Sequence, residues 1–432
     1  MPEEYCSMAE KTSRSILVRT TSKLVLGTTL QWFNFFIAAV AAALVWPTVF
    51  FKGTAEGVPL SIIAYAAAFV TRPFGAILFG YIGDNFGRKI SLVIALLLMS
   101  AGTMAIAVTP SYTSIGVAAS IILILFRGVQ GFGIGGHWGG VASYITELAS
   151  SSKWKNFWTS WVQASLSFGA ALATFSLAFA DYILPHSVFL TIGWRIIFVL
   201  GAIAVMVGGV ISYRMEESRD FVELKQRRAN QTTPLSELFR NEGRKIFELS
   251  LVEVYEVGTS SIMLLPLSII YLETLRTSTF IATSTVTVAA FVTGILVVVV
   301  GAVMSVVGKK KYALLLSTAL GAIISSYPYL ALLRTGNILY AYLAQIALLA
   351  SLETGYAMLA AVSAERFTTK NRSSAIGVSY QLSAAISGVI NITVVSWLIS
   401  YYNGVGNAIG QVALVATLLC IISFVTALLT LK

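Results

Sequence analysis

Charge is scarce in this sequence. Asp, Glu, Lys and Arg make up 11% of its 432 residues, whereas a water-soluble chain carries about 25%. That excludes the two or three water-facing domains a soluble chain of this length would form. Histidine is limited to His137 and His186, and cysteine to Cys6 and Cys420. Neither a disulfide framework nor a metal cluster is expected from so few, so widely spaced. No Walker sequence is present, which argues against a nucleotide-driven pump. No nucleophile–base pair or ligand cluster is visible within the apolar segments, so the chain is not expected to be an enzyme or to need a cofactor or metal.

What is present is apolar. Hydrophobic residues make up 57% of the chain and the mean hydropathy is +0.82. Runs of twenty or more apolar residues follow one another with little between them, which is the pattern of an all-α membrane protein. A membrane β-barrel would alternate in short segments instead. The runs predict twelve transmembrane helices, near 24–50, 57–83, 90–109, 114–147, 155–180, 194–214, 246–272, 279–307, 312–333, 337–363, 373–400 and 408–431. Residues 1–23 are polar and read as a tail rather than a cleaved signal. Residues 215–245 form the longest polar stretch and read as a linker. They divide the chain into six-helix bundles at 24–214 and 246–432.

An even number of spans puts both termini on one side. With the N-terminus in the cytoplasm, 23 of the 29 Lys and Arg fall inside. Only Lys52, Arg195, Arg276 and Arg334 fall outside, and Arg72 and Arg127 lie within spans. The positive-inside rule therefore predicts a multi-pass protein of the cell membrane with both termini cytoplasmic. The net charge of +10 becomes a topology signal facing an anionic leaflet, not a nucleic-acid footprint.

The halves repeat. "GYIGDNFGRKI", from Gly80, follows the second helix, and "GAVMSVVGKKKY", from Gly301, follows the eighth. Gly80 matches Gly301, Gly87 matches Gly308, and Arg88 matches Lys309; Asp84 meets Ser305, so the acid is lost in the second copy. After the fourth and tenth helices, Glu147 matches Glu365 at nearly the same offset, and Gln163 matches Gln381 beyond them. Two such matches at equivalent places predict six-helix pseudo-symmetry, a hallmark of transporters.

"GYIGDNFGRK" resembles the Gly-x-x-x-Asp-x-x-Gly-Arg-Lys signature of the major facilitator superfamily. With "TRPFGAILFGYIGD", "RGVQGFGIGG", "GWRIIF", "EESRDF" and "AERFTTKNR", the chain resembles more narrowly the metabolite:proton symporter family within it. The resemblance implies the major facilitator fold, with two pseudo-symmetric bundles of six helices around a central cavity. It also implies alternating access and proton-driven uptake of small carboxylates or zwitterions. A monomer working with a small-molecule substrate, protons and the lipid bilayer is the expected unit.

Polar side chains at lipid depth are costly and point to function. They recur every third helix: Gln31 and Asn34 in the first, Arg127, Gln130 and His137 in the fourth, Glu253 and Glu256 in the seventh, Glu353 in the tenth. The third, sixth, ninth and twelfth helices have no charge in their middles, as lipid-facing helices should. Residues 127, 130, 134 and 137 share one helix stripe. Arg127, Gln130, Gln31, Asn34, Gln163, Gln381 and Tyr356 are accordingly expected to bind substrate, with the arginine favouring a carboxylate. Glu253 and Glu256, at i and i+3, cannot both carry charge cheaply in a low dielectric. They are expected to carry the coupling proton, with Glu353 and His137 as further candidates. The stretch 126–140 also holds seven glycines, which would let helices pack closely and slide.

For the loop after the second helix, Gly80 and Gly87 permit close packing and a tight turn. Asp84 can sit at the N-terminus of the eleventh helix, the neighbour that the resemblance implies. Arg88 can pair with Glu147. Together these five residues would latch the cytoplasmic side. The chain departs from the family in its first helix, where Glu-Trp-x-Asp is usual and Gln31, Trp32, Phe33 and Asn34 stand here. Both acids have become amides, and His137 follows Gly136 where relatives have a Glu. Either coupling has moved to Glu253, Glu256 and Glu353, or the chain is a facilitated uniporter of a sugar or other neutral metabolite.

Overall fold

The apolar runs form helices, because in lipid each backbone N–H and C=O must be satisfied within its own segment. The computed structural model describes residues 3–52, 56–150, 152–214, 235–260, 266–368 and 372–431. The linker region 215–234, Lys370, and the side chains of Asp84 and Arg88 lie outside the described residues. Among the described residues there is no strand.

The first helix spans Glu3–Leu44, the second Gly57–Asn85 and the third Arg88–Val108. The fourth is broken, into Val117–Gly135 and His137–Leu148; the fifth is Lys155–Ile183, and the sixth Trp194–Tyr213, entered through a π turn at Phe189–Gly193. The seventh is described over Leu235–Thr259 and Ser268–Thr274. The eighth is Thr279–Val307, the ninth Lys310–Ser325 with Pro328–Arg334, and the tenth Ile338–Arg366. The eleventh runs Arg372–Ile390, through a π turn at Asn391–Val395, to Ser396–Tyr401; the twelfth is Val405–Thr430. Ten of these helices are long and apolar enough to cross a membrane, and the ninth is a pair bent by 42°. The first described stretch of the seventh carries Glu237, Arg240, Glu242, Arg244, Lys245 and Glu248 before its apolar part begins.

The uncharged helices face outward. Ile94 and Leu97 of the third, Leu200 and Ile203 of the sixth, Leu316 and Ile323 of the ninth, and Leu418 and Val425 of the twelfth are exposed. The second helix lies along the eleventh and the fifth along the eighth, so these pairs join the first six helices to the last six. Equivalent glycines make both contacts. A Cβ on Gly80 would come within 2.9 Å of Ser374 Cα, and one on Gly301 within 2.0 Å of Ser160 Oγ.

The chain turns sharply after the second and eighth helices. Gly87 (φ 131°) and Gly308 (φ 74°) sit at those two turns, where a side chain would be strained. The arginine of "GWRIIF" also has a structural task. Arg195 Nη1 donates to Ala107 O at 2.6 Å and Thr109 O at 2.7 Å, satisfying carbonyls left open where the third helix ends.

Candidate functional site

The glycines of the fourth helix bring backbones together. A Cβ on Gly131 would lie 2.0 Å from Ala68 O, and one on Gly135 2.1 Å from Arg72 O, both on the second helix. On another face, a Cβ on Gly133 would lie 2.7 Å from Ala95 O of the third. Each glycine costs helix propensity of about 1 kcal/mol, and the close approach it permits replaces that with packing and brings Arg72 and Arg127 to one level of the bundle.

Arg127 is fully buried. Its Nη2 donates to Tyr65 O at 2.9 Å and its Nη1 to Gln130 Oε1. Gln130 Nε2 donates to Asn34 Oδ1 at 3.0 Å and to Thr103 Oγ1 at 2.8 Å, and Thr103 Oγ1 donates to Asn34 Oδ1 at 2.8 Å. The rings of Phe35, Tyr65 and Trp46 stand 5.3, 5.2 and 5.9 Å from the guanidinium carbon. Neutral dipoles and aromatic faces thus solvate this charge, all from the first four helices and the short turn after the first. The stripe shared by Arg127 and Gln130 turns inward on its own half of the molecule. The amide at position 34 accepts hydrogen bonds here without neutralising the arginine.

The second buried arginine, Arg72, is read from the sequence as a charge within a span that, with Arg127, suggests an anion or carboxylate as substrate. It stands 5.1 Å from the rings of Phe35 and Phe69 and 5.8 Å from that of Trp32. Its Nε and Nη2 are buried without a hydrogen-bond partner. Across the interface it lies within electrostatic reach of Glu256, Tyr356 and Tyr380. The available signal was an arginine beside Pro73 in the middle of an apolar helix, where a topological role is excluded.

The three buried acids come from the other half. Glu253 Oε1 accepts from Ser363 Oγ at 3.3 Å. Glu256 Oε2 accepts from Tyr380 Oη at 3.1 Å. Both oxygens of Glu353 are buried without a partner, and Glu353 interacts through space with Glu256. Glu256 therefore stands at the meeting point of Glu253, Glu353 and Arg72, and the crowding extends across two helices instead of along one. Among the described residues, the buried Lys and Arg belong to the first six helices and all the mid-span acids to the last six. The centre is electrically polarised across the interface between the halves.

Aromatic side chains and amides surround this charge pair. Trp138 stacks on Tyr380 with centroids 4.1 Å apart and planes at 20°, and its Nε1 donates to Tyr356 Oη at 2.9 Å. Gln163 Nε2 donates to Tyr356 O at 3.1 Å. Gln31 Oε1, His137 Nδ1 and both amide atoms of Gln381 are buried without partners. They are free to meet a ligand or water, as is Asn34 Nδ2, whereas Gln130 is engaged at both its amide oxygen and its amide nitrogen.

Toward the end that carries the basic loops, the halves are in contact. A Cβ on Gly139 would lie 2.6 Å from Gly377 Cα. Glu147 Oε1 pairs with Arg372 Nη1 at 3.4 Å. Glu365 pairs with Lys155 at 3.9 Å and with Lys310. The expected partner of Glu147 was Arg88, whose side chain lies outside the described residues. Gly80 and Gly83 do abut the start of the eleventh helix, at Ser374 and Ser373, where Asp84 was placed.

Residues 20–251 match the family of sugar (and other) transporters. The chain is 28% identical over 422 residues to the inner membrane metabolite transport protein YhjE of Escherichia coli (strain K12), covering 94% of this chain and 92% of that protein. It is 28% identical over 416 residues to the shikimate transporter of the same organism, covering 93% and 92%. Among solved structures, that of a D-xylose–proton symporter superposes with a TM-score of 0.69 at 20% identity, over 93% of this chain and 96% of that one. The partially occluded, inward-open xylose transporter XylE of E. coli superposes with a TM-score of 0.70 at 17% identity, over 94% and 97%. At these identities the structural likeness speaks for the fold.

Proposed function

The chain belongs to the sugar (and other) transporter family and is a major facilitator superfamily transporter of the membrane, and from that premise we propose that it carries a small organic carboxylate by alternating access, coupled to protons. The observation that carries this reading is Arg72: a buried guanidinium with two unpartnered nitrogens, facing Glu256 from the other half.

The physical logic is charge balance. Without substrate, Arg72 and Glu256 offset each other across the interface. A substrate carboxylate takes the free Nε and Nη2 of Arg72, because an unpaired buried cation gains strongly from a charged acceptor. Glu256 then loses the offset from the Arg72 cation facing it and sits beside Glu353, where two negative charges are unfavourable together. A proton bound to that pair restores neutrality and travels with the anion. Gln31, Gln163, Gln381 and Tyr356 supply hydrogen bonds for the rest of the substrate, and Arg127 adds positive potential from behind. The moving bodies in this reading are 24–214 and 246–432, the linker is 215–245, and the basic loops face the cytoplasm with both termini. A relative named for shikimate, a hydroxylated carboxylate, supports the substrate class.

The amides Gln31 and Asn34 favour one alternative, a uniporter of a sugar or other neutral metabolite. A thermal-shift screen of the purified protein against organic acids, amino acids, sugars and betaines tests the class. Uptake of the best ligand into liposomes, with and without an imposed pH gradient, tests the coupling. Stabilisation by sugars alone would overturn the carboxylate, and indifference to the gradient would make the protein a uniporter.

A further inference from the structure

Between the charged centre and the closed basic end lie three aromatic residues with an unusual set of contacts. Trp138 of the fourth helix is 4% exposed, Tyr356 of the tenth 0% and Tyr380 of the eleventh 1%. The Trp138 and Tyr380 rings are stacked, and Tyr356 lies 6.1 Å from Tyr380 by ring centroid. Trp138 belongs to the first six helices and both tyrosines to the last six, so the stack bridges the two halves. One residue further along, Gly139 meets Gly377 backbone to backbone. Tyr380 thus has two faces to its role. Its ring is part of the closure, and its hydroxyl donates to Glu256 at 3.1 Å.

We propose that the Trp138–Tyr380 stack is the gate that seals the central site from the basic end, and that Tyr380 is the positioning residue through which the charge on Glu256 controls it. The proposal rests on the reading of Glu256 as part of the transport site. With Glu256 ionised, Tyr380 donates a charge-assisted hydrogen bond that holds its ring over the indole. When Glu256 takes a proton, that bond becomes an ordinary neutral one of roughly half the strength. The ring is then free to leave Trp138, and the basic end opens.

Several other groups face Glu256: Arg72 from the second helix, Glu353 and Tyr356 from the tenth, and Glu253, Tyr255 and Ser260 from its own helix and its end. Arg72 offers a competing route, since its attraction to Glu256 also draws the halves together. Tyr380→Phe separates the two. It deletes the hydroxyl, keeps the ring for stacking, and leaves Arg72 and Glu256 in place.

The test reads the width of the basic end by spin-label distances, in the full chain without substrate. Labels are attached through Ser150→Cys and Thr368→Cys, both exposed and on opposite halves, with Cys6 and Cys420 replaced. In the otherwise unaltered protein, the distribution is expected to move from short distances in alkaline buffer to long ones in acid. Tyr380→Phe is expected to show the long distances already in alkaline buffer, with the open-to-closed ratio raised on the order of tenfold, the effect of losing a hydrogen bond to a charged group. Glu256→Gln should do the same at every pH. The gate is overturned if the unaltered protein shows no pH-dependent widening. It is equally overturned if Tyr380→Phe keeps the full pH response, which would assign control to Arg72. Liposomes that ignore a pH gradient while the distances still respond to pH would sink proton-coupled transport and leave the gate standing.

Discussion

Glu147 and Arg372 are 225 residues apart in the chain and 3.4 Å apart in the structure. They tie the end of the fourth helix to the start of the eleventh. Glu365, the repeat counterpart of Glu147, makes the reverse connection from the end of the tenth helix to Lys155 at the start of the fifth. The internal repeat is thus expressed as two crossed ion pairs, each with its acid on one half and its base on the other. The Glu147 side chain is 2% exposed and that of Glu365 is 51%, so the first pair is less screened by solvent.

Breaking the Glu147–Arg372 pair should favour the state open at the basic end. Arg372→Gln is expected to slow uptake by about tenfold, equivalent to ~1.4 kcal/mol, with half-saturation changed only a few-fold. Exchanging the charges, Glu147→Arg with Arg372→Glu, should recover most of the rate. A swap that folds normally yet stays as slow as the single variant would remove the pair from the gating machinery.

The two buried arginines should behave differently. Arg72→Gln is expected to weaken carboxylate binding by roughly 10- to 100-fold, the worth of a hydrogen bond to a charged group, with little loss of stability. Arg127→Gln strands Gln130 in a network it currently completes and should lower the melting temperature at least as clearly as it lowers affinity. Ligand titration and thermal unfolding on the same preparations compare them. Unchanged affinity in Arg72→Gln would exclude that residue from the site.

Coupling should divide among the acids by their surroundings. Glu256→Gln and Glu353→Gln are each expected to keep substrate counterflow and lose accumulation driven by a pH gradient. Glu253→Gln, whose carboxylate is held by Ser363, should keep both within a few-fold. Counterflow and gradient-driven uptake in the same liposomes decide this. Concentrative uptake by Glu256→Gln would transfer the role to Glu353, His137 or Glu253.

Glycine substitutions should follow the room available at each position. Gly135→Ala would place a methyl 2.1 Å from Arg72 O, whereas at Gly209 the nearest atom is 3.9 Å away. The first is expected to destabilise by about 1–3 kcal/mol through overpacking and to weaken binding by moving Arg72. The second should leave the melting temperature and uptake unchanged, as differential scanning fluorimetry and transport would record. Equal melting temperatures for the two would refute the tight second–fourth helix crossing.

The membrane class, the helical fold and the outward orientation of the third, sixth, ninth and twelfth helices were legible in the amino-acid sequence, because each is a property of composition along one segment. An uncharged apolar run such as 196–213 has few folded options in lipid. The repeat was legible too, since Gly80 and Gly301, or Glu147 and Glu365, are matched by counting alone. Tertiary structure decided which polar groups meet. Helix periodicity put Arg127 and Gln130 on one face but carried no information on what that face touches, and packing turned it toward Asn34, Thr103 and Tyr65 within the same half. Spacing paired Glu253 with Glu256, while the crossing of the second, seventh, tenth and eleventh helices set Glu256 among Arg72, Glu353 and Tyr380. Such contacts depend on the rotation of each helix about its axis and on the docking of one half against the other, and the energies that set both come from side chains hundreds of residues apart, which no local pattern contains.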